Sequence, residues 1–285
     1  MENLINISEP KKPTGPTVQS DNLANVKYII AVGSGKGGVG KSTVSANLAL
    51  ALQQTGAKVG LLDADIYGPS VPLMLGVRMA QPVPTPDGQI APIINYGIKL
   101  MSVGFLAPPE KAIVWRGPMI HKVLSDFFNA VAWGELDFLI IDLPPGTGDA
   151  QLSLSQIIPL TGAVVVTTPQ EVALSDVEKA VDMFKVVHVP IIGVIENMTG
   201  FTCPHCNKET HIFASGGGKR AALKWGTDII AEIPIYTEIR EGGDVGKPVV
   251  AIDPASPAAK PFISAAQVLK KKVSEMDAFK IIGLH

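Results

Sequence analysis

The sequence predicts an α/β protein: a doubly wound, mostly parallel sheet with helices on both faces. Three features of the 285-residue chain carry this expectation. Short apolar runs recur along it, and several are continuously apolar rather than alternating, as in central parallel strands covered on both sides. Stretches with helical spacing separate them, the alternation that builds a parallel sheet. A glycine-rich turn lies between the first run and the first helical stretch, which places it at the carboxyl edge of the sheet, where folds of this class bind ligands.

Taken in order, residues 1–25 read as a flexible tail, with Pro10, Pro13, Gly15 and Pro16 among polar neighbours and no apolar period. Residues 26–285 read as a single domain. VKYIIAV, from Val26, is the first strand, and STVSANLALALQQTG is a helix that closes on Gly56. KVGLLDAD, GIKLMSV, DFLIID, GAVVVTT, IIGVIEN and DIIAEIP supply further strands, while 118–132, 171–187 and 218–226 read as helices. Residues 77–97 are Pro-rich and irregular, a surface excursion or a hairpin. Near the C-terminus VLKKKVSEMDAFKIIGL reads as a solvated helix packed on the domain. Glu275 and Asp277 interrupt the basic run of Lys270, Lys271 and Lys272, so the stretch is a poor membrane-surface helix.

Composition removes several classes. The 24 Lys and Arg against 26 Asp and Glu leave a formal charge of −2, which argues against a protein coating nucleic acid. With 46% hydrophobic residues and that small charge, the chain is not of the disordered type. No apolar run reaches the ~18 residues of a membrane span, and MENLINISEPKKPTG lacks the apolar centre of a signal peptide. Two cysteines, three residues apart, make no disulfide framework. The expectation is a cytoplasmic protein with neither nucleic acid nor stable membrane association among its partners.

Gly35-Lys36-Gly37-Gly38-Val39-Gly40-Lys41-Ser42 fits G-x-x-x-x-G-K-[ST] between a strand and a helix. The glycines let backbone N–H groups curl around an anion, and the helix that follows offers unpaired N–H groups and its positive dipole end. Lys41 then neutralises phosphate oxygens, the Ser42 hydroxyl ligates Mg2+, and Thr43 contacts the α-phosphate or caps the helix. Two acidic strand ends fall on the same edge: LLDAD, with Asp63 and Asp65, and FLIID, with Asp142. Carboxylates there hold Mg2+, directly or through its water, or orient an attacking water. Asn197, ending IIGVIEN, is of the type that turns the chain, here before Met198-Thr199-Gly200. Arg116 in WRGPM touches a phosphate or partner, or makes a surface ion pair.

Cys203-Pro204-His205-Cys206 follows, in what reads as a loop after that strand. A C-x-x-C pair chelates a soft metal or forms a redox-active disulfide. It supplies only two ligands, whereas tetrahedral zinc and iron–sulfur clusters usually take four. Four solutions are open: a redox pair, a coincidental pair, a monomeric zinc site completed by His205 and His211, or a two-fold dimer that brings two pairs together.

KGGVGKST, with Lys36 five residues before Lys41, resembles the deviant P-loop of the dimeric ATPases that include MinD, ParA and nitrogenase iron protein. DADIYGPSVPLMLG (63–76) resembles that family's first switch and DLPPGTGD (142–149) its second. WRGPM and ENMTGFTCPHC, with IFASGGGKRAA (212–222), are similar to its Mrp/ApbC branch of iron–sulfur cluster carriers. The resemblance spans about residues 26–260 and implies an ATP- and Mg2+-dependent ATPase working as a homodimer. It implies that Lys36 reaches across the two-fold interface to the partner's nucleotide, that Asp65 orients the hydrolytic water, and that Asp63 and Asp142 support the Mg2+ shell. It implies that Asn197 recognises adenine. It further implies that Cys203 and Cys206 of both copies share one [4Fe–4S] cluster, received from an assembly scaffold and passed to apo-protein acceptors.

Overall fold

The computed structural model describes residues 21–105, 125, 127–146, 148–203, 205–206 and 208–282. Arg116 with its WRGPM stretch, most of the expected 118–132 helix and residues 1–20 of the expected tail lie outside them. The tail expectation needs one correction: residues 21–25 are folded. Asp21–Leu23 makes a 3-10 turn, Leu23 is buried, and the Asn22 amide donates to the Asn129 carbonyl.

Nine strands form one sheet among the described residues: β1 (Val26–Gly33), β2 (Val59–Asp63), β3 (Ile93–Asn95), β4 (Ile98–Ser102), β5 (Leu136–Asp142), β6 (Gly162–Thr167), β7 (Ile191–Thr202), β8 (Glu209–Thr210) and β9 (Ile229–Ile235). Their order is β3-β4-β2-β5-β1-β6-β7-β8, with β9 also on β7. All pairings are parallel except those of β3 and β8. The helices are α1 (Lys41–Gln54), α2 (Val71–Met74), α3 (Asp149–Ile157), α4 (Glu171–Val186), α5 (Gly217–Trp225), α6 (Thr237–Asp244), α7 (Val249–Ile252) and α8 (Lys260–Ile282).

The continuous apolar runs have the expected cause. Tyr28, Ile30 and Val32 of β1 join one core with α1 and α8, while Ile29 and Ala31 join the other with Phe128, Trp133 and Phe184. Helix α1 is enclosed almost all round: every residue from Val44 to Leu52 is buried. Its two polar residues in that span are therefore paired inside. Asn47 donates to the Thr43 carbonyl and accepts from the Val250 N–H of α7, and Ser45 reaches β5. Residues 77–97 do contain hairpins: Pro84 bridges Ile90, and β3 turns into β4 through Tyr96 and Gly97, both left-handed at φ 46° and 76°. Helix α8 packs on α1 and β9, and two of its lysines make ion pairs, Lys272 with Asp228 and Lys271 with Glu275. Among the described residues no helix is long and apolar enough to cross a membrane.

One contact pins the 63–76 segment to the turn after α6. Gly246, just after α6, has φ 71°, and a Cβ there would lie 2.3 Å from the Gly76 Cα. The Gly246 carbonyl also accepts from the Tyr96 hydroxyl at 2.8 Å. Gly246→Ala therefore combines a left-handed backbone with a backbone clash that no rotamer relieves, and it should lower stability by about 2–4 kcal/mol. Equilibrium urea unfolding measures this; a variant within 1 kcal/mol of wild type would show that the two turns part at little cost.

Candidate functional site

Strand β1 ends at Gly33, between β5 and β6, and its chain curls over the carboxyl edge before α1 begins. Gly40 caps α1 at φ 82° with no side-chain capping bond, so the N–H groups of the first turn face outward unclaimed by a side chain. A Cβ on Gly35 would strike the α4 backbone at Asp176, 2.2 Å away, whereas one on Gly37 or Gly38 would meet nothing within 4 Å. The loop is thus anchored at its start and open at its crown. It borders a cavity of ≈ 190 Å³ whose lining includes Lys36, Gly40, Lys41, Ser42, Thr43 and Asp65.

The floor is a buried cluster around Asp142, which closes β5 and is fully buried. Its Oδ2 takes the Lys41 ammonium at 2.8 Å and the Ser42 hydroxyl at 2.6 Å, and its Oδ1 accepts from the Ser45 hydroxyl at 2.6 Å. Lys41, Ser42 and Asp142, expected together, are together. Ser45 was not expected, although its signal is legible: four residues after Lys41 and three after Ser42, it must share their face of α1.

Asp63 and Asp65 separate because the strand ends between them. Asp63 pairs with Asp142 in register on the adjacent strand, and both its oxygens are taken: Oδ1 by the Asp65 N–H at 3.2 Å, Oδ2 by the Val71 N–H at 3.2 Å and the Ser102 hydroxyl at 3.0 Å. Burial, reinforced by the Asp142 carboxylate, pushes Asp63 up to about 8 against these donors. Asp65 lies beyond the strand on the cavity wall, 3.9 Å from the Lys41 ammonium, and accepts from the Tyr67 and Gly68 N–H groups. Its carboxyl is raised, chiefly by burial.

Lys36 is half-buried and donates to the Gln170 side chain at 3.3 Å, just before α4. Asn197 donates from Nδ2 to the Val39 carbonyl at 2.9 Å, so β7 grips the glycine-rich loop directly. A Cβ on Gly40 would sit 2.2 Å from that amide nitrogen and would have to displace it, at a backbone φ of 82° that already disfavours a side chain. Beside it, Glu196 is buried, accepts from the Gly218 N–H at the start of α5, and is raised mainly by burial.

The cysteines lie in a loop after that strand, as expected, but the strand is longer than expected. Strand β7 does not end at Asn197. It passes a bulge at left-handed Met198 (φ 59°), runs on to Thr202 and pairs antiparallel with β8, so Cys203, His205, Cys206 and Lys208 lie at a hairpin tip. The Cys203 N–H donates to the Lys208 carbonyl at 3.1 Å and closes the turn. Cys206 is exposed, Cys203 partly so, and both thiols are free. The Cys203 thiol is held below its ordinary range, first by the His205 N–H and then by the N–H and thiol of Cys206. His211 is engaged at Nδ1 with the Thr199 carbonyl at 2.9 Å. Among the described residues no group of three His, Cys, Asp or Glu donors could hold a metal ion, so neither His205 nor His211 completes a site with the cysteines.

Comparison with known proteins agrees with this geometry. A family model described as NUBPL iron-transfer P-loop NTPase matches residues 25–270. An iron-sulfur cluster carrier protein of Aquifex aeolicus is 52% identical over 259 residues, 90% of this chain and 71% of that protein. The iron-sulfur cluster transfer protein NUBPL of Dictyostelium discoideum is 48% identical over 259 residues, 90% of this chain and 80% of its own length. Among solved structures, a nucleotide-binding protein from Archaeoglobus fulgidus in complex with ADP superposes with a TM-score of 0.74. It is 39% identical, and the match covers 85% of this chain and 94% of that one.

Proposed function

The chain belongs to the family of NUBPL-type iron-transfer P-loop NTPases, and from that premise we propose that it is a nucleotide-gated, cytoplasmic iron–sulfur cluster carrier. Two copies hold one [4Fe–4S] cluster between hairpins bearing Cys203 and Cys206, take it from an assembly scaffold and pass it to apo-proteins. The observation that carries this reading is the pair of free thiols at an exposed hairpin tip with no third donor beside them among the described residues. A cubane cluster takes four thiolates, one hairpin supplies two, and a two-fold axis through the tips supplies four. An exposed, two-point hold also leaves the cargo open to attack by an acceptor's own thiolates.

The loop and floor fit ATP with Mg2+. The open crown and uncapped N–H groups suit phosphates, and a hydroxyl beside a carboxylate suits a hard cation. In this proposal residues 35–43 (Gly35, Lys36, Gly37, Gly38, Val39, Gly40, Lys41, Ser42 and Thr43) cradle the nucleotide, with Ser42 and Asp142 holding Mg2+. Mg2+, when bound, supplies charge neutralisation on the transferring phosphoryl group. Asp65, on the cavity wall, orients the attacking water. Asp63 acts at one remove, because its oxygens fix the Asp65 and Val71 backbone. Lys36 leaves Gln170 to serve the partner's nucleotide, and the Asn197 side chain meets the adenine edge. Strand β7 then links the two sites mechanically, since the residue gripping the loop and the first cysteine are six positions apart, about 20 Å along a strand.

The test is anaerobic reconstitution with iron and sulfide, followed by metal analysis and sedimentation of the product. A coloured dimer with about four irons per two chains is expected. A monomer that stays colourless with ATP and iron both present would sink the carrier reading. Colourless protein with intact ATPase activity that sediments with liposomes or DNA would move it to a spatial switch.

A further inference from the structure

Ser45 does work that its position in a buried helix hides. It is fully buried on α1, and its hydroxyl lies 2.6 Å from Asp142 Oδ1 and 3.0 Å from the Lys41 carbonyl one turn back. A hydroxyl has one proton to give, and the shorter contact to a carboxylate is the stronger of the two. Asp142 is therefore held from both sides, by Ser45 at Oδ1 and by Lys41 and Ser42 at Oδ2. Remove the Ser45 donor and a fully buried oxygen loses the partner that fixes the plane of the carboxylate, while Asp63 lies on the adjacent strand in register. The carboxylate is then free to turn Oδ2 away from Ser42.

We propose that Ser45 is a positioning residue for the Mg2+-nucleotide site: by holding Asp142 Oδ1 it keeps Oδ2 aimed at Ser42 and Lys41. The inference rests on the nucleotide reading above and deepens it. It concerns metal-dependent binding, so the readout is affinity rather than turnover. Mant-AMPPNP, a fluorescent non-hydrolysable ATP analogue, is titrated into the full chain in EDTA and again in Mg2+. The informative pair is Ser45→Thr and Ser45→Val, which have the same shape and differ only in the hydroxyl. Ser45→Val should bind the analogue in EDTA within about twofold of wild type yet lose roughly tenfold or more of the gain that Mg2+ confers. Ser45→Thr should keep that gain to within about threefold. Ser45→Ala, which adds no bulk, repeats the Val result if the larger side chains disturb the helix. Equal Mg2+ gains in Thr, Val and Ala would overturn the proposal while leaving the nucleotide reading standing. Wild-type protein that does not bind the analogue at all would overturn the nucleotide reading itself, and the role of Ser45 with it.

Discussion

Cys203→Ala leaves anaerobic reconstitution colourless, with iron at least tenfold below wild type, and Cys206→Ala does the same. The effect is large because symmetry doubles each substitution. A dimer of either variant offers two thiolates where four are needed, and no neighbouring donor among the described residues can substitute. The histidines supply the control. His211 is already spent on the Thr199 carbonyl, and it forms no three-donor group with the cysteines. His205→Ala and His211→Ala should therefore retain most of the iron. ATPase activity should survive all four substitutions, since the hairpin tip contributes nothing to the cavity under the glycine-rich loop. Iron analysis together with visible absorbance reads the outcome. If single cysteine variants keep their iron, or if a histidine variant loses it, the shared-cluster assignment is wrong.

Much of this site could be read before folding, and the reason is local. Gly40, Lys41 and Ser42 carry their chemistry in backbone conformation and immediate spacing, and Asp142 ends an apolar run that only a buried strand explains. Most of the seven parallel strands were legible for the same reason: enclosure by helices on both faces makes the central ones apolar over most of their length, and β4 and β9 each carry only one charged residue. What was not legible depends on tertiary pairing. The Thr199-Gly200-Phe201-Thr202 stretch has no apolar period, and it is strand because Phe201 pairs with both Ile235 and Thr210. Hence the loop that carries the cysteines is the turn of a hairpin. Asn22 gave no signal against a Pro-rich tail, since its partners lie over sixty residues away. Helix α3 follows directly on the DLPPGTGD segment, and its modest apolar content did not mark it as a helix. Asn197 illustrates the limit best. Its type and its place at the carboxyl edge were readable, but the grip of its amide on the Val39 carbonyl needed the fold. That contact joins the glycine-rich loop to the strand that leads into Cys203, and in the proposed carrier it is the route from nucleotide to cargo.

The order of events along that route is tested by Lys41→Ala. Lys41 is buried, and its ammonium lies 2.8 Å from Asp142 and 3.9 Å from Asp65. In the proposed complex it also faces phosphate, so its loss should weaken Mg2+-ATP binding by about 100-fold, the magnitude of one strong charge-assisted contact. The same substitution should be felt without nucleotide. It strips the cation from a carboxylate that has no access to water and that pairs in register with Asp63. Breaking a buried pair from one side costs about 3–5 kcal/mol, and the remaining Ser42 and Ser45 donors place this case near 3 kcal/mol. Lys41→Met separates packing from charge, because it keeps most of the stem and none of the ammonium. Urea unfolding should put it within about 1 kcal/mol of the Ala variant if the ion pair dominates. Both variants should still take up a full cluster, since loading needs only the hairpins, while delivery to an apo-protein slows with the lost nucleotide. Normal delivery by either variant would mean that cargo release is not gated through the loop at all.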